Sequence, residues 1–265
     1  MSAHPITEEQ LLRYARHVAL DEIGEDGQAR LLAARALVVG AGGLGSPVVL
    51  YLAAAGVGRI TIVDDDRVDL TNLQRQIAHT TARLGEPKAD SAAAAAAAIN
   101  PEVRVEALNA RLDASNAMEL VRGQNVVVDG SDNFATRFLL NDACHLLRVP
   151  LVSAALLRFE GQISTFKAWS RGPCYRCLHP EPPPEDAVPR CEQAGILGAV
   201  AGVMGAMQAA EVVKELLGVG ESLAGTLVLY DALSATVRRI AVPKNPDCAL
   251  CGAAPRITTL AHMSG

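Results

Sequence analysis

Four of the six cysteines form two C-x-x-C pairs, Cys174 with Cys177 and Cys248 with Cys251. Four thiolates that meet in a fold are the ligand set of a tetrahedral structural zinc ion, which leaves no open position for catalysis. A redox dithiol is the alternative for either pair alone. The presence of both pairs predicts one structural zinc site that joins two distant segments of the chain.

A glycine-rich turn, GAGGLG at residues 40–45, follows an apolar run, and Asp64 follows the next apolar run. A glycine loop that opens a helix suits phosphate, and an acid at this distance suits the ribose hydroxyls of a nucleotide. Within the loop, Gly42 and Gly43 are the predicted nucleotide contacts. This fingerprint alone is weak, because it fits NAD and ATP equally.

Three charged residues favour ATP. Arg75 in DLTNLQRQ and Lys88 in GEPKADS bring fixed positive charge just beyond Asp64, which suits a triphosphate better than a neutral nicotinamide. Lys88 follows a proline and begins a predicted helix, where a lysine is unfavourable unless an anion is present. Asp132 in DGSDN is a candidate ligand of Mg²⁺, with N-capping of the following helix as its alternative role.

The elements that must position these residues alternate between strand-like and helix-like runs. The strand-like runs cover residues 35–39, 59–63, 102–108, 125–129 and 149–154. This rhythm of βαβ units predicts an α/β fold with a Rossmann-like, doubly wound, mostly parallel sheet. Because ligands collect at the carboxyl ends of such strands, the glycine loop, Asp64 and Asp132 are expected to share one site.

The pattern changes after residue 155. The runs GQISTFKAW, GTLVLYDAL and ATVRRIAV predict antiparallel strands that extend the sheet. The proline-rich run HPEPPPEDAVPRCEQAG, residues 179–195, predicts an exposed, mobile loop. LLRYARHVAL, ahead of the first strand, predicts an amphipathic N-terminal helix.

Composition excludes several classes of protein. The 265 residues are 50% hydrophobic and 20% charged with a net charge of -5, which fits a globular chain without a broad nucleic-acid footprint. No basic segment followed by an apolar core opens the chain, so a cytosolic location is expected. The Gly- and Ala-rich run at residues 194–210 is shorter than the about 20 residues of a membrane span, which favours a closely packed buried helix.

The motifs RYARH, GAGGLGS, DLTNLQRQ, GEPK, SDNFATR, GQISTF, PCYRCL and NPDCALCG follow one another over residues 11–252. In this order and spacing they resemble the MoeB/ThiF/HesA adenylyltransferases, bacterial relatives of ubiquitin-activating enzymes, and the MoeB type most closely. The resemblance implies ATP-dependent adenylation of the C-terminal glycine of a ubiquitin-like, MoaD-like sulfur-carrier protein for molybdopterin biosynthesis. Pyrophosphate is the second product. The thiamine-pathway carrier ThiS, substrate of ThiF-type members, is the alternative.

The resemblance also assigns roles to residues. Asn72 and Arg75 match its phosphate-binding element, and Asp64 matches its ribose-binding acid. Lys88 and Asp132 match further members of the catalytic set, which implies Mg²⁺ bound with ATP. Arg16 matches the arginine that one subunit of a homodimer delivers to the ATP of its neighbour.

Several points stay open in the sequence. Arg137 fits a family element either as an orienting ion pair or as a ligand contact. Cys191 stands where some relatives carry a thioester-forming cysteine, but its role is undecided. The cysteine Cys144 is expected in the core, and no histidine is assigned a role.

The domain prediction is a single adenylyltransferase domain over residues 1–265. Residues 1–155 form its nucleotide-binding half, 156–252 its carrier-binding and zinc half, and 253–265 a tail. No rhodanese-like sulfur-donor segment follows, so a separate sulfur donor is expected. An NAD-dependent oxidoreductase or sensor, and a pseudoenzyme that only binds a ubiquitin-like tail, are the competing functions.

Overall fold

The computed structural model describes residues 6–170, 172–184 and 194–263. Within these residues it has eight strands, which are β1 (Arg35–Val39), β2 (Arg59–Val63), β3 (Arg104–Leu108), β4 (Val126–Asp129), β5 (Leu151–Leu157), β6 (Glu160–Phe166), β7 (Thr226–Asp231) and β8 (Thr236–Ala241). The α-helices are α1 (Glu8–Arg13), α2 (Ala15–Val18), α3 (Gly24–Ala33), α4 (Gly45–Ala54), α5 (Lys88–Ile99), α6 (Ala117–Val121), α7 (Phe134–Leu147), α8 (Tyr175–Leu178) and α9 (Gly198–Leu217). Short 3₁₀ turns cover Leu70–Asn72, Thr81–Arg83, Ala168–Ser170 and Ala261–Met263.

One sheet contains all eight described strands, in the order β3-β2-β1-β4-β5-β6-β7-β8. The pairs from β3 to β5 are parallel, and those from β5 to β8 are antiparallel. The predicted fold, a doubly wound parallel sheet extended by antiparallel strands, is therefore confirmed. β5 begins two residues later than expected, because Pro150 precedes it and cannot donate to the ladder.

Two hydrophobic clusters cover the two faces of the sheet. Residues of α4, α5 and α9 pack on one face, and residues of α6 and α7 pack on the other. Because both faces are covered, β1, β2 and β4 are buried without alternation after their first residues. The chain crosses between the two faces where β1 lies beside β4, which is the switch point at which such sheets bind ligands.

Small residues let α9 pack closely, as the Gly- and Ala-rich run predicts. A Cβ added at Gly205 would lie 2.2 Å from Pro47 of α4, and one added at Gly161 of β6 would lie 2.4 Å from Met204. The helix is therefore held between α4 and the sheet. In the described part of the chain no helix is long and apolar enough to cross a membrane.

Tyr14 fixes the N-terminal helices at the amino edge of the sheet. Its buried ring packs on Gly56, which has φ +78°, and its hydroxyl accepts a hydrogen bond from Asn100 at 2.8 Å. Gly56 and Asn100 follow the ends of α4 and α5, and both helices start at the opposite, carboxyl edge. A ten-residue helix is about 15 Å long, so α2 lies on the far side of the sheet from the switch point.

Candidate active site and metal centre

A cleft of about 460 Å³ opens at the carboxyl ends of β1, β2 and β4. The strand register places Val39 beside Val63 and Asp129, so the three loops that follow these residues start at the same level. Gly42, Gly43, Asp64, Arg75 and Asp132 all line this cleft. The structure thus brings together five of the predicted site residues.

The glycine loop uses its glycines for two different purposes. A Cβ at Gly40, which has φ +90°, would lie 2.8 Å from the carbonyl oxygen of Gly130, and one at Gly45 would lie 1.7 Å from that of Gly40. These positions require glycine for the close approach of two backbones. A Cβ at Gly42 would meet a side-chain nitrogen of Gln76 only at 3.6 Å, so the bare backbone there leaves room for a ligand.

The carboxylate of Asp64 binds the backbone of the glycine loop. It accepts hydrogen bonds from the backbone N–H of Ala41 at 2.7 Å and from that of Asp66 at 2.8 Å. Burial raises the pKa of Asp64, although these two hydrogen bonds act in the opposite direction. Two backbone donors leave acceptor capacity on the carboxylate, which suits the ribose role predicted for it.

The two predicted phosphate-binding cations are held in different ways. Arg75 lines the cleft, and its Nη1 donates to the Thr71 carbonyl oxygen at 3.0 Å. Lys88 is only 7% exposed, and its Nζ lies 2.8 Å from Oδ2 of Asp66, an exposed acid on the cleft wall. The side chain of Asp66 therefore lies between Lys88 and the cleft. A bound phosphate would replace Asp66 as the partner of the Lys88 ammonium.

Asn72 does not line the described cleft. Its Oδ1 accepts from the backbone N–H of Asp69 at 3.1 Å and completes a capping box on the Leu70–Asn72 turn. Arg75 is the third residue after Asn72, so the box fixes the turn that carries this arginine. A direct phosphate contact of Asn72 stays a prediction.

Asp132 is exposed and points to no partner that the described residues supply. The N-cap of α7 is Asn133, whose side chain accepts from the backbone N–H of Thr136 at 2.9 Å. The alternative role for Asp132 as the N-cap of α7 is therefore wrong, because the cap is the next residue, Asn133. A carboxylate without a competing hydrogen bond, on the wall of a cleft, is suited to a hard cation such as Mg²⁺.

Arg137 and Asp129 support the loop that carries Asp132. Nη2 of Arg137 donates to the Ser131 carbonyl oxygen at 3.1 Å, and its Nε lies 3.7 Å from Oδ2 of Asp129. Asp129 is fully buried and accepts from Ser131 and from Ser153, each hydroxyl at 2.6 Å. The orienting role of Arg137 therefore has contacts in its favour. Asp129 was not singled out in the sequence, because a strand-end acid gives no sign of its buried partners.

Arg16 lies far from the cleft of its own chain. It is exposed on α2, two residues after Tyr14, which anchors this segment at the amino edge of the sheet. Arg13, in the preceding helix, donates to the Ile99 carbonyl oxygen at the end of α5. Arg16 and the cleft of its own chain therefore lie at opposite edges of the sheet.

A second pocket, of about 610 Å³, joins the cleft at Asp132, Asn133, Arg137 and Leu156. Its other walls are more apolar and come from the antiparallel half, from residues 182–184, and from Leu229, Tyr230 and Met263. The sequence did not predict this pocket, because its lining is contributed by short segments that share no motif. Cys191 and residues 185–193 of the predicted mobile loop lie outside the described residues.

The four paired cysteines converge as predicted. Their Sγ atoms all lie within 4.8 Å of one another, with 3.5 Å between Cys174 and Cys248 and 3.4 Å between Cys177 and Cys251. Zinc–sulfur bonds of 2.3 Å in a tetrahedron place sulfurs about 3.8 Å apart, so the cluster has the size of a zinc site. Hydrogen bonds from the Cys174 and Cys251 thiols lower the pKa of Cys177 to about 2. Cys144 is separate from the cluster and buried in the core.

Replacing Cys248 by serine is expected to remove bound zinc and destabilise the fold. The cluster joins α8 and its N-cap residue Cys174 to the segment after β8, so without the metal these segments lose their cross-link. We expect a fall in the midpoint of thermal unfolding of at least about 6 °C, the shift that a loss of about 3 kcal/mol gives at this chain length. Metal analysis of the same preparations checks the cause. Cys144→Ala should keep its zinc, and wild-type protein without zinc would contradict the assignment.

Comparison with known proteins gives consistent matches. The sequence matches the ThiF family over residues 14–250. It is 52% identical to the SAMP-activating enzyme E1 of Haloferax volcanii, over 92% of this chain and 89% of that protein. It is 51% identical to the sulfur carrier protein adenylyltransferase of Thermus thermophilus, over 94% of this chain and 93% of that protein.

Two further matches differ in length or in sequence. The adenylyltransferase and sulfurtransferase MOCS3 of Sus scrofa is 48% identical, and the match covers 98% of this chain but 57% of that protein. Among solved structures, E. coli MccB with ATP superimposes with a TM-score of 0.78 at 21% identity, over 90% of this chain and 74% of that chain. At that identity the similarity concerns the fold.

Proposed function

The chain belongs to the ThiF family, and on that premise we propose that it uses ATP to adenylate the C-terminal glycine of a ubiquitin-like sulfur carrier. The Thermus thermophilus relative that is named for sulfur-carrier adenylation matches over 93% of its length, which supports this activity. Within the activity, we propose a MoaD-type carrier and hence a place in molybdenum cofactor biosynthesis. Reduced thiols in a metal cluster suit a cytoplasmic location.

The observation that carries the proposal is the junction of the two pockets at Asp132. The first pocket has the glycine loop, the ribose-type acid and Arg75, and Lys88 lies behind its wall on Asp66. The second is a larger, more apolar space that reaches the same aspartate. A flexible protein tail that enters through the second pocket would present its terminal carboxylate to the α-phosphate of a nucleotide held in the first.

Charge in the cleft favours ATP over NAD. Arg75 lines the cleft and Lys88 lies directly behind Asp66 on its wall, so two cations are available to a triphosphate bound there. In the reaction, a carboxylate oxygen of the glycine forms a bond to the α-phosphorus, and the bond from that phosphorus to the bridging oxygen breaks. Pyrophosphate leaves with the electron pair. Cations next to the phosphates stabilise the charge that develops on them.

Asp132 is the residue that would hold Mg²⁺ against the phosphates. When bound, the ion supplies charge neutralisation at the α-phosphate and the leaving pyrophosphate. Arg137 and Asp129 keep the supporting loop in place from the buried side. The four-cysteine cluster is proposed as a structural zinc site, since it lies outside both pockets.

A homodimer completes the proposed site. Leu12, Leu20 and Tyr51 are large apolar side chains with 81%, 49% and 57% exposure, and they lie on or next to helices that meet around Tyr14. Apolar side chains grouped in this way suit burial by a second copy of the chain. In such a dimer, Arg16 would reach the cleft of the neighbouring subunit, although it is remote from the cleft of its own subunit.

Exchange of labelled pyrophosphate into ATP tests the proposed function. Exchange is expected when a MoaD-type carrier is present and to fall at least about 100-fold when the last glycine of that carrier is removed, because no carboxylate then reaches the α-phosphate. A ThiS-type carrier serves as the matched substrate. Exchange with ThiS alone would move the enzyme to the thiamine pathway. Absence of exchange with both carriers, in folded protein that binds ATP, would overturn the function.

A further inference from the structure

A closed circuit of hydrogen bonds lies beside the nucleotide cleft, and two of its residues, Asp64 and Asp66, line that cleft. Asp64 binds the N–H of Ala41 on one side and that of Asp66 on the other. Asp66 in turn binds both the backbone N–H of Lys88, at 2.9 Å, and its ammonium group, at 2.8 Å. This half of the circuit links the glycine loop to Lys88, the first residue of α5, through the predicted site residue Asp64 and through Asp66.

His79 closes the other half of the circuit. Its Nε2 lies 2.9 Å from the carbonyl oxygen of Ala41, and its Nδ1 lies 2.9 Å from Oγ of Ser91 on α5. Ser91 is one turn along the same helix that Lys88 begins. The imidazole therefore spans the gap between the glycine loop and the lysine helix, opposite to Asp64.

The partners of His79 define its protonation state. A carbonyl oxygen only accepts, so Nε2 carries a hydrogen and donates it to Ala41. The Ser91 hydroxyl can donate to Nδ1, and a neutral ring with its hydrogen on Nε2 satisfies both contacts. His79 is only 5% exposed. Burial lowers the pKa of His79, the bond to Ala41 opposes this, and the charges of Lys88 and Arg83 lower the pKa further.

We propose that His79 is a positioning residue that sets the spacing between the glycine loop and the Lys88 helix, and thereby the affinity for ATP. The proposal rests on the proposed function only in naming ATP as the ligand. Asp64 binds the N–H of Ala41, and His79 binds its carbonyl oxygen, which also accepts from the Ser46 hydroxyl at 3.2 Å, so the two peptide groups on either side of the Ala41 Cα are both oriented. The loop N–H groups and the Lys88 ammonium must contact the same phosphate chain, and a loop free to move would lose that match.

The dissociation constant of Mg-ATP, measured by calorimetry without any carrier, tests the proposal. His79→Leu removes both hydrogen bonds and is expected to weaken binding about tenfold, which corresponds to about 1.4 kcal/mol. His79→Gln is the matched variant, because its amide can donate to Ala41 and accept from Ser91, and it should recover binding to within about threefold. Ser91→Ala, a milder change, should weaken binding about threefold.

Two results would overturn the proposal. One is unchanged ATP affinity in folded His79→Leu protein, and the other is an equal loss in the Leu and Gln variants. If His79→Leu does not fold, the ATP affinity of Ser91→Ala and the tautomer of His79 in the wild-type protein test the proposal instead. Nitrogen chemical shifts of the imidazole at neutral pH should show hydrogen on Nε2 alone, and hydrogen on Nδ1 alone, which leaves Nε2 unable to donate to Ala41, would contradict the circuit. A protein that binds ATP as described but supports no exchange with a carrier would refute the proposed function and leave the role of His79 intact.

Discussion

Asp132→Ala is expected to reduce labelled pyrophosphate exchange at least about 100-fold, the scale of losing one charge-stabilising group in an active site. Asp132 is the acid at the junction of the two pockets, and it makes no hydrogen bond within the described residues that would give it a structural task. Because Asn133 caps α7, the fold does not depend on Asp132. The thermal midpoint of the variant should therefore match that of the wild type.

In the same assay, Asp132→Asn tests whether exchange depends on the charge of the Asp132 side chain or on its size. It keeps the size of the side chain but removes the charge that a magnesium ion needs, so its exchange should be nearly as low as that of Asp132→Ala. Glu119→Ala, an exposed acid on α6, is the matched control and should exchange as the wild type. Cys191→Ala should also retain exchange, since adenylation forms no bond to sulfur. Substantial exchange in both Asp132 variants would place the catalytic acid elsewhere.

The sequence predicts the cleft well because strand-end residues obey a simple geometry. Parallel strands end at one edge, so residues 40–45, Asp64 and Asp132 meet there whatever the intervening helices do. Arg75 reaches the same cleft from a turn, and the motif resemblance identifies it. The convergence of the two cysteine pairs is predictable because four ligands of one metal ion must lie close together in the fold.

What the sequence does not predict depends on partners that are distant along the chain. His79 bonds to Ala41 and Ser91, and nothing in the stretch IAHTT reveals either contact. The side chain of Asp129 is held by Ser153, 24 positions away on the neighbouring strand. The cap of α7 is Asn133 and not Asp132, whose capping was the alternative to its predicted magnesium role; Asp and Asn are both good N-caps, and the two residues are adjacent. Local propensity cannot choose between them.

Arg16→Ala is expected to be nearly inactive in pyrophosphate exchange, although Arg16 lies far from the cleft of its own subunit. Tyr14 anchors the segment at the amino edge of the sheet, and the cleft is at the carboxyl edge. An arginine inserted from a neighbouring subunit would stabilise charge on the phosphates. Arginines that a second chain supplies to a phosphoryl-transfer site raise the rate constant by about 1,000-fold or more. The loss should leave folding unaffected, because Arg16 is exposed.

Mixing the two inactive variants distinguishes a role across the interface from one within the subunit. If Arg16 acts in the neighbour, a heterodimer of Arg16→Ala and Asp132→Ala has one site with both residues intact and one with neither. Equal amounts with free subunit exchange should then recover about a quarter of wild-type activity, since half the dimers are mixed in a two-fold assembly. Arg13→Ala, whose arginine contacts its own α5, is the matched control and should be active without mixing. Verified heterodimers that stay inactive would exclude the contribution across the interface, because a site assembled from both subunits must regain its missing residue.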